Sequence, residues 1–435
     1  MISKSEYQQR RQQLATRLPA GSLALIPAAR DCLRNGDAHY RFRQDSDFYY
    51  LTGFNEPDAL LLIIAGTTGE SVLFNRPRHF AEEQWTGVRL GQTGACEQLG
   101  VSNAYPITEL ATRLPEWFAN KTAIYYPINR YPACDQMVME VWKKTKGQTR
   151  QGVEAPHAFA DVTSMIGEMR LIKSHAEMEV MREAARISVA AHQRAMRACR
   201  SAQFEYEIEA EIIYELTRQG CRSMAYDAIV AGGSHACILH YTDNNQPLQR
   251  GDLLLIDAGG EYQNYAADIT RTFPINGQFS GEQKAIYELV LAAQHAGIAC
   301  IRPGALWEDA QDAIVRVLTA GLLDLGLLQG TLEELIATQA YKPFYMHRSG
   351  HWLGLDVHDV GQYKIDGHWR QLAPGMVLTV EPGLYIHDSI PGIDPRWHGI
   401  GVRIEDDIAV TTDGHENLTA ALAVKVTDIE AWMRG

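Results

Sequence analysis

The chain has 435 residues, of which 46% are apolar, and a formal net charge of −13. This length exceeds what one hydrophobic core usually organises, so we expect two domains. The acidic balance and the scattering of the 40 basic residues argue against nucleic acid as a partner, because a nucleic-acid-binding surface needs clustered positive charge.

The beginning of the chain lacks the pattern of a targeting or membrane segment. The stretch "MISKSEYQQRRQQLATRLPAG" is polar where a signal peptide has its apolar core. No apolar run reaches the ~18 residues of a membrane-spanning helix. The seven cysteines are widely spaced and odd in number, which favours reduced thiols. We therefore expect a cytoplasmic protein with no membrane partner.

Short β-like runs alternate with polar, helix-compatible stretches over the first 160 residues. The runs are "SLALIPA", "ALLLIIAG", "SVLFN" and "TAIYYPI". This alternation predicts a smaller N-terminal α/β domain. A helical pattern then begins near Ser174, with Glu177 at the spacing of a capping box. We therefore place the first domain at residues 1–170.

The remaining residues, 171–435, follow the same order of elements twice. Helix-like segments precede β-like segments that extend to residue 273, and a second pair of helix-like segments precedes β-like segments up to residue 411. The repeat length of roughly one hundred residues predicts two similar halves that face each other across a pseudo-twofold axis. The second domain is thus expected to be α+β.

The segment "GDLLLIDAGGEYQNYAADITRTF" predicts an antiparallel hairpin. If its turn is centred between Tyr262 and Gln263, Asp257 and Asp268 are equidistant from the turn and fall opposite each other. Cross-strand partners have Cβ atoms ~5 Å apart. Two carboxylates this close on apolar strands require a cation between them.

Two later strands each end an apolar run with a glutamate. In "GMVLTVEPGLYI" the glutamate is Glu381, and in "GVRIEDDIAV" it is Glu405, with Arg403 on the same face. A single carboxylate in a strand can equally well face solvent. Four carboxylates, together with the histidine-rich stretch "MHRSGHWLGLDVHD", favour a metal site.

Charge balance favours two metal ions. The four carboxylates bring four negative charges, and a neutral imidazole adds none, so two divalent cations neutralise the site. An oxygen-rich set with a single nitrogen suits Mn²⁺ best, with Co²⁺ or Zn²⁺ also possible. Paired ions lower the pKa of a bound water and polarise a carbonyl, and both effects promote hydrolysis.

These motifs resemble those of the pita-bread metallopeptidases, which include methionine aminopeptidase, prolidase and aminopeptidase P. The matching stretches are "LLLIDAGGEYQNYAADITRTFPI", "ILHYTDN", "MHRSGHWLGLDVHDVG", "LTVEPGLYI" and "GVRIEDD". The N-terminal "YRFRQDSDFYYLTGFNEPDALLLI" resembles the bacterial aminopeptidase P branch. The resemblance covers nearly the whole chain and implies a pita-bread C-terminal domain.

The resemblance also implies which side chains bind the two ions. Asp268 and Glu405 would bridge the metals, Asp257 would complete the second ion, and His351 and Glu381 would complete the first.

Further residues are placed beside the substrate by the same resemblance. His240 and His358 would hydrogen-bond a carbonyl or oxyanion and move a proton. His347 is either a substrate-pocket residue or a buried histidine bonded to backbone. Strand spacing, not the resemblance, adds Arg403 to the substrate site, because it lies two residues before Glu405 on the same face and would orient or neutralise the carboxylates.

The resemblance implies an aminopeptidase that releases an N-terminal residue preceding proline. Glu381 would take the proton of the attacking water and pass it to the leaving imino nitrogen. A prolidase, which accepts only Xaa-Pro dipeptides, is the alternative. A non-catalytic pita-bread binding module is a further alternative, which the five intact ligand positions disfavour.

Two N-terminal stretches, "NGDAHYRFRQDSDFYYLTGF" and "EEQWTGVRLG", favour the aminopeptidase over the prolidase. In aminopeptidase P such loops, here around Asp37 and Trp85, reach the active site of a neighbouring subunit. The resemblance therefore implies a homo-oligomer, either a dimer or a tetramer built from dimers.

Overall fold

The computed structural model describes residues 2–434, which form two compact units that divide between Arg170 and Leu171. The helices of the N-terminal unit are α1 (Lys4–Arg17), α2 (Ser46–Thr52), α3 (Phe80–Thr86), α4 (Gly91–Gly94), α5 (Leu110–Phe118), α6 (Pro132–Lys146) and α7 (Thr163–Arg170). Its strands are β1 (Ser22–Pro27), β2 (Leu33–Asn35), β3 (Ala38–His39), β4 (Leu60–Ile64), β5 (Ser71–Asn75), β6 (Asn103–Pro106), β7 (Ala123–Tyr126) and β8 (Ala158–Asp161).

The N-terminal unit is built on one six-stranded sheet with the order β6-β5-β4-β1-β7-β8. Strand β4 runs antiparallel to β1 and β5, whereas the β5–β6, β1–β7 and β7–β8 pairs are parallel. Every residue of β1 and β5 is buried. Continuous apolar runs such as these are typical of strands that are covered on both faces. The predicted α/β character of this region is confirmed.

The C-terminal unit contains six α-helices and thirteen strands among its described residues. The helices are α8 (His175–Ala198), α9 (Glu205–Arg218), α10 (Gly281–Ala299), α11 (Trp307–Asp324), α12 (Leu332–Ala337) and α13 (Val426–Arg434). The strands are β9 (Ser223–Met224), β10 (Ile229–Gly232), β11 (Leu253–Asp257), β12 (Gly260–Tyr262), β13 (Tyr265–Ala266), β14 (Thr270–Pro274), β15 (Lys364–Ile365), β16 (His368–Trp369), β17 (Val377–Val380), β18 (Gly383–Ile386), β19 (Ile400–Arg403), β20 (Asp406–Val410) and β21 (His415–Asn417).

The C-terminal unit repeats one arrangement, as predicted. Helices α8 and α9 pack together and precede the sheet β10-β11-β14, and helices α10 and α11 pack together and precede the sheet β17-β20-β21. Both α8 and α10 begin with a complete capping box, at Ser174 and Ser280. One hydrophobic core joins the helix pairs and both sheets. No helix in the described chain is long and apolar enough to cross a membrane.

The hairpin that carries the two aspartates has a different register from the predicted one. Its turn is formed by Gln263 and Asn264, whose φ angles of 49° and 68° are those of a tight two-residue turn. Asp257 is therefore paired with Thr270. Asp268 lies in the irregular segment 267–269, just before β14. The prediction of directly opposed aspartates is wrong, because the turn lies one residue later than assumed.

Candidate metal centre

An open cavity of about 580 Å³ lies in the C-terminal unit, and every described residue that lines it belongs to that unit. Four carboxylates converge on its wall from the ends of strands and the adjoining loops. Asp257 ends β11, and Asp268 lies in the loop before β14. Glu381 directly follows β17, and Glu405 lies between β19 and β20. The sequence-predicted carboxylates are thus brought together.

His351 lies among these carboxylates. Ligand-capable atoms of Asp268, His351 and Glu405 all lie within 4.8 Å of one another. The Nε2 atom of His351 is 3.4 Å from Oδ2 of Asp268 and 3.7 Å from Oε1 of Glu381. Its Nδ1 lies 3.0 Å from the carbonyl oxygen of Trp352. An Nδ1–H that donates to this carbonyl directs Nε2 towards the carboxylates, as in metal-binding histidines.

The four carboxylates lie close enough to influence each other's pKa values. Burial is the largest cause that raises the pKa of Asp257, Glu381 and Glu405, and the negative charge of Asp268 contributes to all three. The resulting pKa of Glu381 is about 7. Burial also opposes ionisation of Asp268, but hydrogen bonds with His351 and Tyr226 lower its pKa. Carboxylates that repel each other in a buried site provide a donor set that fits divalent cations.

Arg403 and Tyr226 hold the carboxylate oxygens in place. The buried Arg403 donates from Nη2 to Oδ2 of Asp257 at 2.7 Å and from Nη1 to the hydroxyl of Tyr385 at 3.1 Å. The hydroxyl of Tyr226 lies 2.6 Å from Oδ1 of Asp257 and also hydrogen-bonds Oδ1 of Asp268. Neighbours of this kind fix the direction in which ligand oxygens point.

Tyr226, Thr270 and Tyr385 are site residues that the sequence analysis missed. Thr270 donates from Oγ1 to Oε2 of Glu405 at 2.6 Å. Tyr385 alternates with Glu381 in "EPGLYI", so strand periodicity could have indicated its direction. Tyr226 lies in an irregular segment between β9 and β10, where no pattern in the sequence indicates it.

Three further predicted histidines, His240, His347 and His358, line the same cavity. The His358 ring centroid is 4.4 Å from that of His351, and the two rings are nearly perpendicular. Burial lowers the pKa of His358, and the charge of His351 lowers it further. At neutral pH His358 is therefore an uncharged imidazole that faces the cavity.

His347 combines the two environments that the sequence left open. It lines the cavity, and its Nδ1 lies 2.7 Å from the backbone carbonyl of Arg348. Its Nε2 lies 2.8 Å from the hydroxyl of Tyr385. Burial lowers the pKa of His347 to about 4, and the positive charge of Arg403 contributes.

The remaining two predicted residues, Asp37 and Trp85, lie in the N-terminal unit. Asp37 is exposed in the turn between β2 and β3. Trp85 lies on α3 and is 89% exposed. Neither of them is among the described residues that line the cavity.

Comparison with known proteins connects both units to one group of peptidases. Residues 179–412 match the model of metallopeptidase family M24, and residues 7–125 match the N-terminal domain of aminopeptidase P. A curated relative, Xaa-Pro aminopeptidase of Escherichia coli, is 46% identical over 99% of this chain and 98% of the relative.

Solved structures give the same result. The aminopeptidase PepP of Pseudomonas aeruginosa has a TM-score of 0.98 and 50% identity, covering 100% of this chain and 98% of the other. Zn-substituted E. coli aminopeptidase P in complex with product has a TM-score of 0.97 and 46% identity, with the same coverage. The chain therefore belongs to metallopeptidase family M24, in its aminopeptidase P group, and its C-terminal unit has the pita-bread fold.

Proposed function

We propose that this protein is a metal-dependent aminopeptidase that releases the N-terminal residue from peptides with proline in the second position. The observation that carries the proposal is the buried cluster of four carboxylates and His351 on the wall of an open cavity. Full-length relatives named Xaa-Pro aminopeptidase support the same activity. The prolidase alternative receives no comparable support from these relatives.

The cluster would hold two divalent ions. Asp268 and Glu405 are proposed as bridging ligands, Asp257 as a ligand of one ion, and His351 and Glu381 as ligands of the other. Mn²⁺ is the proposed native metal, with Co²⁺ or Zn²⁺ as substitutes, because oxygen donors outnumber the single nitrogen. When bound, such ions supply Lewis acidity towards a carbonyl and lower the pKa of water.

The chain's own residues would position the substrate and move its protons. Glu381 lies on the cavity wall, where a carboxylate oxygen can accept a proton and return it to the imino nitrogen of proline. His240 and His358 face the cavity and can donate hydrogen bonds to the scissile carbonyl oxygen. Arg403 and His347, joined through Tyr385, would hold the wall beside the substrate.

Proline in the second position calls for a dedicated site. The bond before proline is a tertiary amide without an N–H, and proline restricts the residue that precedes it. The cavity wall includes Ile229, Leu239, Val357 and Tyr363, whose apolar surfaces can contact a pyrrolidine ring.

We also propose a cytoplasmic homo-oligomer, a dimer or a tetramer, in which loops around Asp37 and Trp85 contribute to a neighbouring subunit's site. The structure places Trp85 on α3 and not in a loop, and support comes from exposed apolar side chains on this helix and just after it. Phe80 is 78% exposed, Trp85 89% and Val88 77%. Three large apolar side chains exposed in one short segment favour an interaction surface. The free state of the seven cysteines fits a reducing compartment.

The function is tested by peptide hydrolysis. We expect Ala-Pro-Ala to be cleaved after its first residue, Ala-Ala-Ala to be cleaved at least tenfold more slowly, and a strong chelator to abolish both reactions until Mn²⁺ is returned. Ala-Pro is the control that separates the alternatives. Cleavage of Ala-Pro with none of Ala-Pro-Ala would assign the protein as a prolidase, and no cleavage of any peptide would contradict a peptidase function.

A further inference from the structure

The catalytic cavity has a second arginine on its wall that the proposed mechanism does not use. Arg348 lines the cavity, and its side chain is 50% exposed, so it lies where the cavity meets solvent. Its neighbour in the chain, His347, lines the same cavity. Arg348 thus brings an arginine side chain to the rim of the cavity.

The guanidinium of Arg348 is held in a fixed position. Nη1 lies 3.3 Å from Oε1 of Glu308, and Nη2 hydrogen-bonds Oε2 of the same carboxylate. The guanidinium carbon lies 5.0 Å from the ring centroid of Trp369, a cation–π distance. Two-point pairing and ring contact together restrict the side chain. Guanidinium N–H groups that are not directed at Glu308 remain to bind a ligand.

Arg348 also differs from the other positive charge of the cavity. The described lining contains two arginines and no lysine. Arg403 is 4% exposed, and its guanidinium donates to Asp257, Tyr385 and Thr270. Of the two arginines, Arg348 is therefore the one that an anionic group of a substrate can reach.

We propose that Arg348 binds the C-terminal carboxylate of short Xaa-Pro-Xaa peptides and so gives the enzyme a preference for substrates with a negative charge just beyond proline. This inference rests on the proposed aminopeptidase function. In an enzyme that releases the first residue, the N-terminal amine enters the cavity first, and the residues after proline extend towards its opening. The amine end of the peptide therefore lies away from Arg348, and the leaving-group end lies towards it.

Dimensions favour a tripeptide over longer chains. One extended residue spans ~3.3–3.6 Å, so a carboxylate on the residue after proline stays within a few ångströms of the cavity. The volume of about 580 Å³ is that of a small-ligand site. In a longer peptide the terminal charge lies beyond the cavity, and the interaction is lost.

The test compares one tripeptide, Ala-Pro-Ala, with its C-terminal amide. Wild-type enzyme should have a kcat/KM about fivefold higher for the acid than for the amide, a modest factor because a half-exposed pair is screened by solvent. In Arg348→Gln the acid-to-amide ratio should fall towards one, chiefly through KM. Arg348→Lys retains the charge and should keep part of the preference. Added salt should lower the wild-type ratio.

Arg316→Gln is the matched control. Arg316 pairs with Glu333 at 2.7 Å, is 54% exposed and does not line the cavity, so its replacement should leave the ratio at the wild-type value. An unchanged ratio in Arg348→Gln, or an equal fall in Arg316→Gln, would overturn the inference while the peptidase assignment stands. Wild-type enzyme that is inactive on both acid and amide would instead contradict the proposed function.

Discussion

His351 and His358 are neighbours in the cavity but contact different groups. Their replacement should therefore affect different properties of the enzyme. His351 has Nδ1 bonded to backbone and Nε2 directed at Asp268 and Glu381. His358 faces the cavity with its pKa lowered by burial. The first environment fits the proposed metal ligand, and the second fits the proposed hydrogen-bond donor to substrate.

We therefore predict that His351→Ala loses bound metal, whereas His358→Ala retains it and loses ~10²-fold in kcat, the usual scale for a proton-transfer or oxyanion group. Metal analysis of each purified variant beside its kcat is the measurement. Equal metal loss in the two variants would contradict the separate roles.

Replacing Tyr226 tests how much a residue that hydrogen-bonds the carboxylates contributes to metal binding and activity. Its hydroxyl is the one group described above that contacts both Asp257 and Asp268. Tyr226→Phe removes only that oxygen, and we predict a 10- to 100-fold loss in metal affinity or activity, typical of such partners. Tyr287→Phe is the control, because the hydroxyl of Tyr287 bonds the carbonyl of Val424 away from the site. Comparable losses in both variants would indicate a packing effect.

At the scale of elements, local patterns predicted the two helix pairs of the C-terminal unit and several strands, whereas the position of a turn was harder to predict. The capping signal at Ser174 correctly located the start of α8 because it is contained in four consecutive residues. The hairpin register depended on which two residues take left-handed φ, and Gln263-Asn264 gave no strong signal of the kind that Asn-Gly gives. The position of Asp268 in an irregular segment followed from that register.

The first turn of α8 is also hydrogen-bonded to this hairpin. The side chain of Ser174 accepts from the backbone N–H of Glu177, and Glu177 accepts from the hydroxyl of Tyr265 at 2.7 Å. We predict that Ser174→Ala lowers the free energy of unfolding by about 1 kcal/mol. Denaturant unfolding measures the loss, and Ser201→Ala, in the exposed turn after α8, should change it by less than half as much. Equal losses would contradict the capping role.

At the scale of the whole molecule, composition and repeat order were sufficient to predict two regions and two similar halves. Contacts between residues far apart in the chain were not predictable from spacing. The Arg403–Asp257 pair joins residues 146 positions apart, and Tyr226 reaches Asp268 across 42 positions. Such contacts depend on the packing of the sheets, which one sequence does not encode in any local pattern.

A buried histidine makes the stability of the molecule depend on pH. His192 on α8 is fully buried, with Nε2 2.8 Å from the carbonyl of Ala258, and burial lowers its pKa to about 4. The unfolded chain binds a proton near the ordinary value of 6.5, so stability is lost as pH falls from 6.5 towards 4.

His192→Gln keeps an N–H donor but has no imidazole to protonate. We predict that its free energy of unfolding falls by about 2 kcal/mol less than that of wild type between pH 7 and pH 5. Both proteins are unfolded by denaturant in chelator, so that metal release does not contribute. Identical pH dependence in the two proteins would contradict a neutral buried His192.

The central claim is that the carboxylate–histidine cluster is a dinuclear metal centre required for hydrolysis. The most direct measurement is metal content per chain after Mn²⁺ loading, in wild type and in Asp257→Ala, Asp268→Ala and Glu405→Ala, with Ala-Pro-Ala hydrolysis measured on the same samples. We predict about two ions per chain in wild type. Asp268→Ala and Glu405→Ala should lose more metal than Asp257→Ala, because a bridging ligand serves both ions, and activity should fall with the metal. Wild-type protein that hydrolyses the peptide without bound metal would contradict the claim.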